Sequence, residues 1–435
     1  MKQLLLSTAW VIFLVLNIQV LMAQSPSDNS PYSRYGLGNL VSTDFGAING
    51  MGGISTAYHT SNSINLSNPA SLGYLRTTAF EVGLYSDFSW LSTNDASTLS
   101  VDGNLTHLVL GFPLKNPINQ ITNIKRSPYN WGMAMGIVPY SRVGYEIETE
   151  DIVPNIDTVL YRYNGSGGLY QLFLANGVSY NNFSVGFTAG YLFGNISQNR
   201  TAIFTDVANS SWSILNDDIN HSGFVYNIGL QQELELKDDL KLLLGATANN
   251  TMTVGTETRT LNRRYNSLSG YDTITNSLST GETATLPLEY SFGATLKKDN
   301  KWLIGLQYSA ARWSEYENSA KPDQLADTYK VAFGAEIVPD HNAINRYGKR
   351  ISYRLGAFYQ TDPRLVGSDQ LQSYAVTAGV GLPIILPKKG LVGHTNLSFE
   401  LGKIGYNTAI SENYLKIKAA FTFNDSGWFY KRQFN

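Results

Sequence analysis

The segment Gly50–Ser71 reads GMGGISTAYHTSNSINLSNPAS and precedes a long region with a different residue pattern. Gly52 and Gly53 permit positive φ angles or very close backbone packing. Pro69 disfavours the α conformation at Asn68, so the chain turns sharply there. We therefore expect a compact, turning segment that is neither a strand nor a long helix and that packs against the rest of the chain.

The chain from about Phe80 to Phe423 consists of many stretches in which apolar residues alternate with small or polar ones. In the first stretch, Phe80, Val82 and Leu84 alternate with residues such as Glu81. A period of two predicts β-strands with one apolar face. The same alternation occurs in a water-soluble sandwich, whose apolar face is inside, and in a membrane barrel, whose apolar face contacts lipid. The period alone therefore predicts an all-β fold and leaves these two architectures open.

The number of strands and the lengths of their connections distinguish the two architectures. About fourteen strands are expected, at 80–90, 105–113, 129–148, 168–180, 183–205, 222–236, 240–258, 284–297, 301–315, 328–338, 350–361, 371–384, 393–405 and 414–424. Tight connections follow even-numbered strands, at 181–182, 237–239 and 298–300. Long polar connections follow odd-numbered strands, at 149–167, 206–221, 259–283 and 316–327. Three connections on the even side are longer than tight turns, at 114–128, 339–349 and 385–392.

Outer-membrane barrels have an even number of strands, short periplasmic turns and longer outer loops. The pattern of connections therefore predicts a transmembrane antiparallel β-barrel of about 14 strands, with both chain termini in the periplasm. The turning segment would then lie inside the barrel as a plug. In this register Ile304 and Phe421 should face lipid, whereas Gln307 should face the lumen.

The composition agrees with a wall that faces lipid. Charged residues make up 15% of the 435 residues and aromatic residues 12%, with 27 tyrosines. The net charge of −2 does not provide the basic face that a nucleic-acid partner requires. The absence of cysteine excludes disulfides, thiolate zinc sites and cysteine nucleophiles.

The two ends of the sequence differ from the predicted barrel in composition. Residues 1–23 resemble a secretory signal peptide cleaved after Ala23, with an uncleaved anchor helix as the rival interpretation. Residues 24–78 form the N-terminal arm and plug, residues 79–424 the barrel, and residues 425–435 a periplasmic C-terminal tail. Export predicts the outer membrane of a Gram-negative bacterium, where membrane lipid surrounds the barrel.

No pattern of catalytic or metal-binding residues is present in the sequence. The five histidines are scattered and none has a carboxylate or second histidine at ligand spacing, so we expect no metal site. No serine has a histidine and an acid at a spacing that suggests a catalytic triad. We therefore expect neither an enzyme nor a bound cofactor.

Two short motifs carry a family resemblance. Met51–Gly53 (MGG) and Asn68–Ala70 (NPA) resemble the hatch of the outer-membrane long-chain fatty-acid transporter family of the FadL/TodX type. Residues 353–356 and 371–383 are also similar to that family. The resemblance implies passive uptake of hydrophobic, fatty-acid-like molecules through a plugged lumen, with release through an opening in the wall after the N-terminal arm moves.

The resemblance also assigns roles to particular residues. It implies that Gly52, Gly53, Asn68, Pro69 and Ala70 form the plug. It also places the N-terminal arm in the lumen, where Arg34 would pair with an inward carboxylate.

On the barrel wall, the inward carboxylates are expected to face a single arginine and to form an ion-pair network that fixes the plug. These lumen candidates are Glu81, Asp87, Glu233 and Arg354.

Other functions remain open from the sequence. Relatives of this family resemble structural or docking subunits of larger outer-membrane secretion or assembly complexes, which gives protein partners as the alternative to a hydrophobic small-molecule ligand. An open porin ranks third because a plug would block it, and an enzyme ranks last.

Overall fold

The computed structural model describes residues 30–44, 46–93, 97–115, 128–153, 157–205, 209–237, 239–343, 345–386, 391–405, 408 and 410–425. The expected signal peptide and nearly all of the expected C-terminal tail lie outside these residues.

The described residues contain eighteen strands in one antiparallel sheet. The strands are β1 Asn39–Leu40, β2 Thr78–Ser92, β3 Ser97–Pro113, β4 Tyr129–Val153, β5 Asp157–Tyr180, β6 Phe183–Phe204, β7 Trp212–Lys237, β8 Leu240–Ala248, β9 Met252–Asn266, β10 Gly270–Leu286, β11 Glu289–Lys298, β12 Trp302–Ala311, β13 Glu317–Asn318, β14 Thr328–Ile337, β15 Ser352–Val366, β16 Asp369–Leu386, β17 Leu391–Ile404 and β18 Ser411–Asp425. The sheet closes because β18 pairs with β2 along its whole length.

Together the strands make fourteen crossings of the barrel wall. β8 and β9 lie end to end beside β7 and count as one crossing, and β11 and β10 lie end to end beside them and count as the next. β1 and β13 contain two residues each and do not cross the wall; β1 pairs with β4, and β13 pairs with β10. The expected all-β, fourteen-stranded barrel is therefore confirmed.

The alternation of side chains follows the expected register. Ile304 and Leu306 on β12 are 46% and 56% exposed, whereas the intervening Gly305 and Gln307 are buried. Phe421 on β18 lies opposite Val82 on β2 and belongs to the same outward face. The outward face of the wall is thus the apolar one, as a barrel in lipid requires.

The wall is taller on one side than the sequence predicted. Three of the expected long connections, 149–167, 206–221 and 259–283, are largely strand in the structure. There the backbone is paired across β4 to β10 while polar residues occupy both faces, as in the 2.6 Å contact between Arg162 Nε and Glu148 Oε1. A strand that is polar on both faces has no period of two, so its sequence resembles a loop.

Two expected strands are broken. The run expected at 240–258 is interrupted between β8 and β9, and Pro287 separates β10 from β11. Proline cannot donate a hydrogen bond to the ladder, so the pairing stops there. The two breaks lie side by side and are joined by a single backbone hydrogen bond, which the Asn249 amide donates to the Glu289 carbonyl at 3.0 Å.

Tight turns lie at one end of the barrel. Asn181, Asp239 and Asn300 have φ angles of 50°, 65° and 57° in the short connections expected there. Asparagine and aspartate tolerate this left-handed conformation better than other non-glycine residues.

Five short 3-10 helices complete the described part of the chain: η1 Pro31–Arg34, η2 Ile48–Met51, η3 Pro69–Tyr74, η4 Trp313–Glu315 and η5 Tyr347–Arg350. None of the described helices is long and apolar enough to cross a bilayer. The first three belong to the segment inside the barrel, which is therefore compact and turning rather than extended.

The start of the described arm differs from the expectation. Ser30 Oγ donates to Glu412 Oε2 at 3.2 Å, and the Tyr32 hydroxyl donates to the Ile410 carbonyl, beside the β17–β18 connection. That connection lies at the opposite end of the barrel from the tight turns. The first described residues of the arm therefore lie at the end opposite the tight turns. Both chain termini lie outside the described residues, so their expected periplasmic location stays a prediction.

Candidate functional site

The plug rests on a belt of glycines on the inner wall. Two runs of directly paired glycines form this glycine belt: Gly132, Gly177, Gly186 and Gly229 on β4 to β7, and Gly305, Gly334 and Gly356 on β12, β14 and β15. A Cβ at Gly334 would collide with the Met51 carbonyl, and a Cβ at Gly356 would collide with the Gly52 amide. The backbone of the plug therefore lies directly against the backbone of the wall.

The MGG motif is seated on this belt. Gly52 and Gly53 have φ angles of +66° and +86°, which side-chain-bearing residues rarely adopt. A Cβ at Gly52 would lie 2.6 Å from the Phe333 carbonyl oxygen. The Gly52 amide donates to Thr377 Oγ1 at 2.8 Å. Both the conformation and the space at Gly52 thus require glycine.

The NPA motif joins the plug to β7. The buried Asn68 side chain donates from Nδ2 to the Thr56 carbonyl at 2.7 Å and to the Leu230 carbonyl at 3.0 Å. Its Oδ1 accepts from the Ala70 amide at 3.1 Å and so caps η3. Pro69 occupies the first position of η3, where its missing N–H costs nothing.

Inward amides provide a second attachment that the sequence analysis missed. Gln307 Oε1 accepts from the amides of Ser55 and Thr56 at 2.7 and 2.8 Å. Gln231 Nε2 donates to the Thr56 carbonyl at 3.0 Å. Gln307 is the single amide of β12, and its inward position on an otherwise largely apolar strand is the signal that identifies it. Gln231 adjoins Gln232 on the polar β7 and carries no such signal.

His59 attaches the plug to Glu233, one of the expected lumen residues. His59 Nε2 lies 3.3 Å from Glu233 Oε2, and the His59 ring stacks on Tyr74 at 3.8 Å. Lys241 Nζ lies 2.8 Å from the other carboxylate oxygen. Burial lowers the pKa of His59, although the hydrogen bond that His59 donates to Glu233 opposes this shift. His59 Nδ1 lies 3.1 Å from Gln231 Oε1, so the ring joins the plug to two residues of β7.

The two acids expected on β2 have separate partners. Glu81 Oε1 lies 3.3 Å from His107 Nε2, and Glu81 Oε2 accepts from Thr422 Oγ1 at 3.1 Å. Asp87 Oδ2 lies 3.2 Å from Lys416 Nζ. All of these groups point into the lumen.

Arg354 does not face the three carboxylates expected for it. Arg354 Nε lies 2.6 Å from Glu336 Oε2, and Nη1 donates to Asn396 Oδ1 at 2.8 Å. The expected single network is wrong because the strand period gives the face of a residue but not its position around the barrel. Glu81 and Glu233 lie on β2 and β7, several strands around the ring from Arg354 on β15.

Arg34 lies in the lumen without the expected carboxylate. Its guanidinium lies 4.2 Å from the centre of the Tyr163 ring, and the described residues place no carboxylate at ion-pair distance from it. Nearby, the Gly36 amide donates to Asp323 Oδ2 at 2.7 Å. The arm is thus held among the tall outer strands and the β13–β14 connection.

The wall has a gap between β3 and β4. The two strands pair only where residues 108–113 face 132–137, so the β3 edge at residues 97–107 has no β4 partner. β4 has a bulge after Pro139 and pairs instead with β1, where Leu40 faces Ser141. Arg142 crosses this gap, since its Nη2 donates to the Leu105 carbonyl at 2.9 Å.

Two cavities lie above the plug. Cavity A has a volume of about 320 Å³, cavity B has a volume of about 210 Å³, and residues 40–44 of the arm line both. Cavity B reaches the gap, because Asp102 and Thr106 of β3 and Arg142 of β4 line it. The arm therefore separates the gap side of the lumen from cavity A.

The two cavities differ in chemistry. Cavity B is lined by six carboxylates, five cationic side chains and His107. Many of these charges are paired, as in Lys418 with Glu400 at 3.0 Å and Arg364 with Asp362 at 2.6 Å. Cavity A is lined mainly by apolar, aromatic, amide and hydroxyl groups.

The fold is shared with solved hydrocarbon channels. The Pseudomonas putida toluene transporter TodX superposes with a TM-score of 0.58 at 15% identity, covering 88% of this chain and 98% of that one. The CymD monoaromatic hydrocarbon channel gives 0.54 at 14% identity over 90% and 99%. A Pseudomonas aeruginosa FadL homologue gives 0.54 at 12% identity over 89% and 98%.

Comparisons of sequence give a different family. The model of the family described as BamG matches residues 5–435. No curated protein sequence matches the chain. The structural similarities, at such low identity, show the fold alone.

Proposed function

This chain belongs to the BamG family, and from that premise we propose that it is an outer-membrane barrel for the passive uptake of small, apolar-bodied compounds. The solved structures that share its fold include a toluene transporter and a monoaromatic hydrocarbon channel. Their activity is extended here to this chain as a proposal.

The gap in the wall between β3 and β4 carries this proposal. An unpaired strand edge exposes backbone N–H and C=O groups, which is costly in lipid unless the edge lines a cavity. Cavity B lies behind the edge at residues 97–107. A compound in the lumen would thus have a lateral route into the wall that does not require passage through the plug.

The charges of cavity B favour compact compounds over long-chain fatty acids. An extended acyl chain there would remove water from charged side chains without replacing its hydrogen bonds. We therefore propose small compounds with an apolar body rather than the fatty-acid-like ligand that the hatch motifs imply.

The proposal is tested by fixing the arm in the gap. Leu40 and Ser141 face each other across β1 and β4, and directly opposed residues in antiparallel strands lie about 4.5–5.5 Å apart, within disulfide range. Because the chain has no cysteine, the pair Leu40→Cys and Ser141→Cys introduces its only thiols. Uptake of the neutral dye N-phenyl-naphthylamine by cells should fall when the disulfide forms and recover after reduction.

The matched control places the same crosslink away from the arm. Leu91→Cys with Thr98→Cys joins β2 to β3 near their hairpin and should leave uptake unchanged. Equal uptake in the oxidised and reduced arm variant, with the crosslink complete, would show that the route does not run past the arm.

A second candidate function is a docking subunit of a larger outer-membrane complex. The tall hairpin of β9 and β10 favours it, because β10 pairs with β9 on one edge but with β13 only at Ala284 and Thr285 on the other. Tyr271 and Leu278 on this strand are 64% and 61% exposed. Such a free edge is a common site for strand addition.

This candidate predicts a partner that depends on the hairpin. Purification of the barrel in mild detergent, followed by native mass measurement, should give a stoichiometric protein that is lost when residues 262–279 are replaced by a short turn. A monomeric barrel with and without the hairpin would remove this candidate and leave uptake.

A further inference from the structure

Cavity A contains an aromatic lining around a carboxylate. Tyr140, Phe173 and Trp313 line it together with Met252, and Trp313 and Phe173 are buried. The plug residues Ser55 and Thr56 line the same cavity. A compound in cavity A would therefore be surrounded by aromatic side chains together with hydroxyl and amide groups.

Glu289 is the carboxylate in this lining that has no cationic partner. It begins β11 and lines cavity A together with Ser291, which lies on the same face of the strand. Its amide donates to Asn249 Oδ1 at 2.6 Å. None of the ion pairs among the described residues includes Glu289.

The cation that shares the cavity already has partners. Lys330 Nζ lies 3.5 Å from Asp44 Oδ2 and 4.7 Å from the centre of the Phe358 ring. Asp44 and Lys330 thus pair with each other in the lining, and Glu289 is the remaining acidic side chain there.

We propose that cavity A binds an organic cation with an apolar body, such as an alkylammonium or arylammonium ion. A carboxylate withdrawn from water is costly unless a cation pairs with it. Aromatic faces attract ammonium groups and also accept the apolar body of such a compound. The inference names a substrate class for the proposed uptake and rests on that function for the passage of the compound, whereas binding stands on the cavity itself.

The test measures binding without transport. The full barrel, purified in detergent, is titrated by calorimetry with phenylpropylammonium and with neutral phenylpropanol, which share the apolar body. The wild type should bind the ammonium ion about tenfold more tightly or better, which corresponds to one buried charge contact. Equal affinity for the two probes, or no binding of either, would overturn the proposal.

Variants locate the charge. Glu289→Gln should remove the preference for the ammonium ion, whereas Glu289→Asp should keep it. Glu282→Gln is the matched control, since Glu282 lies on the outer part of β10 with Thr258 and Ser279 as its hydrogen-bond partners. The backbone contacts of residue 289 with Asn249 do not involve the carboxylate, and heat-resistant migration of each variant checks that the barrel is folded.

The two proposals fail differently. Ammonium binding at Glu289 without dye uptake by cells would contradict the uptake function and leave the site intact. Dye uptake with no preference for the ammonium ion would contradict the site and leave the uptake function. An unchanged preference in Glu289→Gln would also contradict the site.

Discussion

The lower and upper halves of the lumen are held together in different ways. In the lower half, the plug meets the glycine belt with backbone against backbone, Gln307 of the wall accepts from its amides, and its own Asn68 donates to the Leu230 carbonyl of the wall. In the upper half, the arm pairs with β4 over only two residues, Asn39 and Leu40, and Arg34 packs on the Tyr163 ring. The wall beside it has a gap, which Arg142 crosses, and two broken strands.

This difference indicates which half moves. Backbone packing at the glycine belt has no freedom to yield, since any added atom collides. Side-chain contacts at a gap are individually weak and are exchanged with water at little cost. We infer that the lower half seals the barrel while the upper half admits compounds.

The largest effect is expected at the glycine belt. Gly334→Val together with Gly356→Val should displace the plug, because overpacking costs about 1–3 kcal/mol per site and here the obstacle is backbone. Planar-bilayer conductance should rise towards that of a barrel lacking residues 31–71. Gly255→Val is the control, since its nearest atom is the Ser222 carbonyl oxygen at 3.4 Å. A closed double variant would mean that the belt does not seat the plug.

The lipid face gives the next effect. Ile304→Arg should impair assembly and heat-resistant migration, because a charge at the bilayer midplane of a barrel costs about 2–4 kcal/mol. Gln307→Arg should leave the barrel assembled, as the sequence predicts for an inward residue, but should raise conductance because it removes the acceptor for Ser55 and Thr56. The same migration defect in both variants would contradict the register.

These two positions show how far the sequence reaches. The period of two gives the face of Ile304 and Gln307 correctly, and it gives the strand number, because the cost of exposing apolar or polar groups acts on each strand separately. It does not give the partner of Gln307, which lies on the plug 251 residues away. Long-range contacts depend on shear and on the position of each strand around the ring, and alternation carries neither.

The glycine belt and the gap illustrate the same limit. The composition shows 39 glycines, but only the register reveals that Gly305, Gly334 and Gly356 face one another. The gap follows from the bulge after Pro139 and the pairing of β4 with the arm. Neither the facing glycines nor the gap changes the hydrophobic periodicity, because the strands continue through both regions.

An acid shift should loosen the lower half by a smaller amount. Burial lowers the pKa of His59 in the docked plug, whereas an undocked His59 takes up a proton near its ordinary value of about 6.5. The contribution of His59 to docking is therefore present above that pH and is lost as the pH falls below it. The charged groups around His59 are Glu233, Lys241 and Lys297. Glu233 favours the protonated form of His59, whereas Lys297 opposes it.

Protease accessibility of the plug across this pH range measures the effect. The wild type should become more accessible on acidification, whereas His59→Gln should lose the pH dependence and keep a hydrogen bond to Gln231 or Glu233 within reach. A wild-type plug that tightens on acidification would mean that protonated His59 pairs with Glu233 more strongly than burial opposes it.

The smallest effect is expected at the gap. Arg142 donates to the Leu105 carbonyl at 2.9 Å and lies 4.4 Å from the centre of the Tyr85 ring. Such a partly exposed cation–π contact is worth about 0.5–1 kcal/mol, so Arg142→Ala should raise dye entry roughly twofold to fivefold and leave planar-bilayer conductance unchanged. Arg142→Lys keeps the charge, so its rate of dye entry should lie between those of the wild type and Arg142→Ala. If Arg142→Ala opened the barrel as far as the double glycine variant does, the gap would be sealed by strong contacts, and the division between a sealed lower half and a yielding upper half would be wrong.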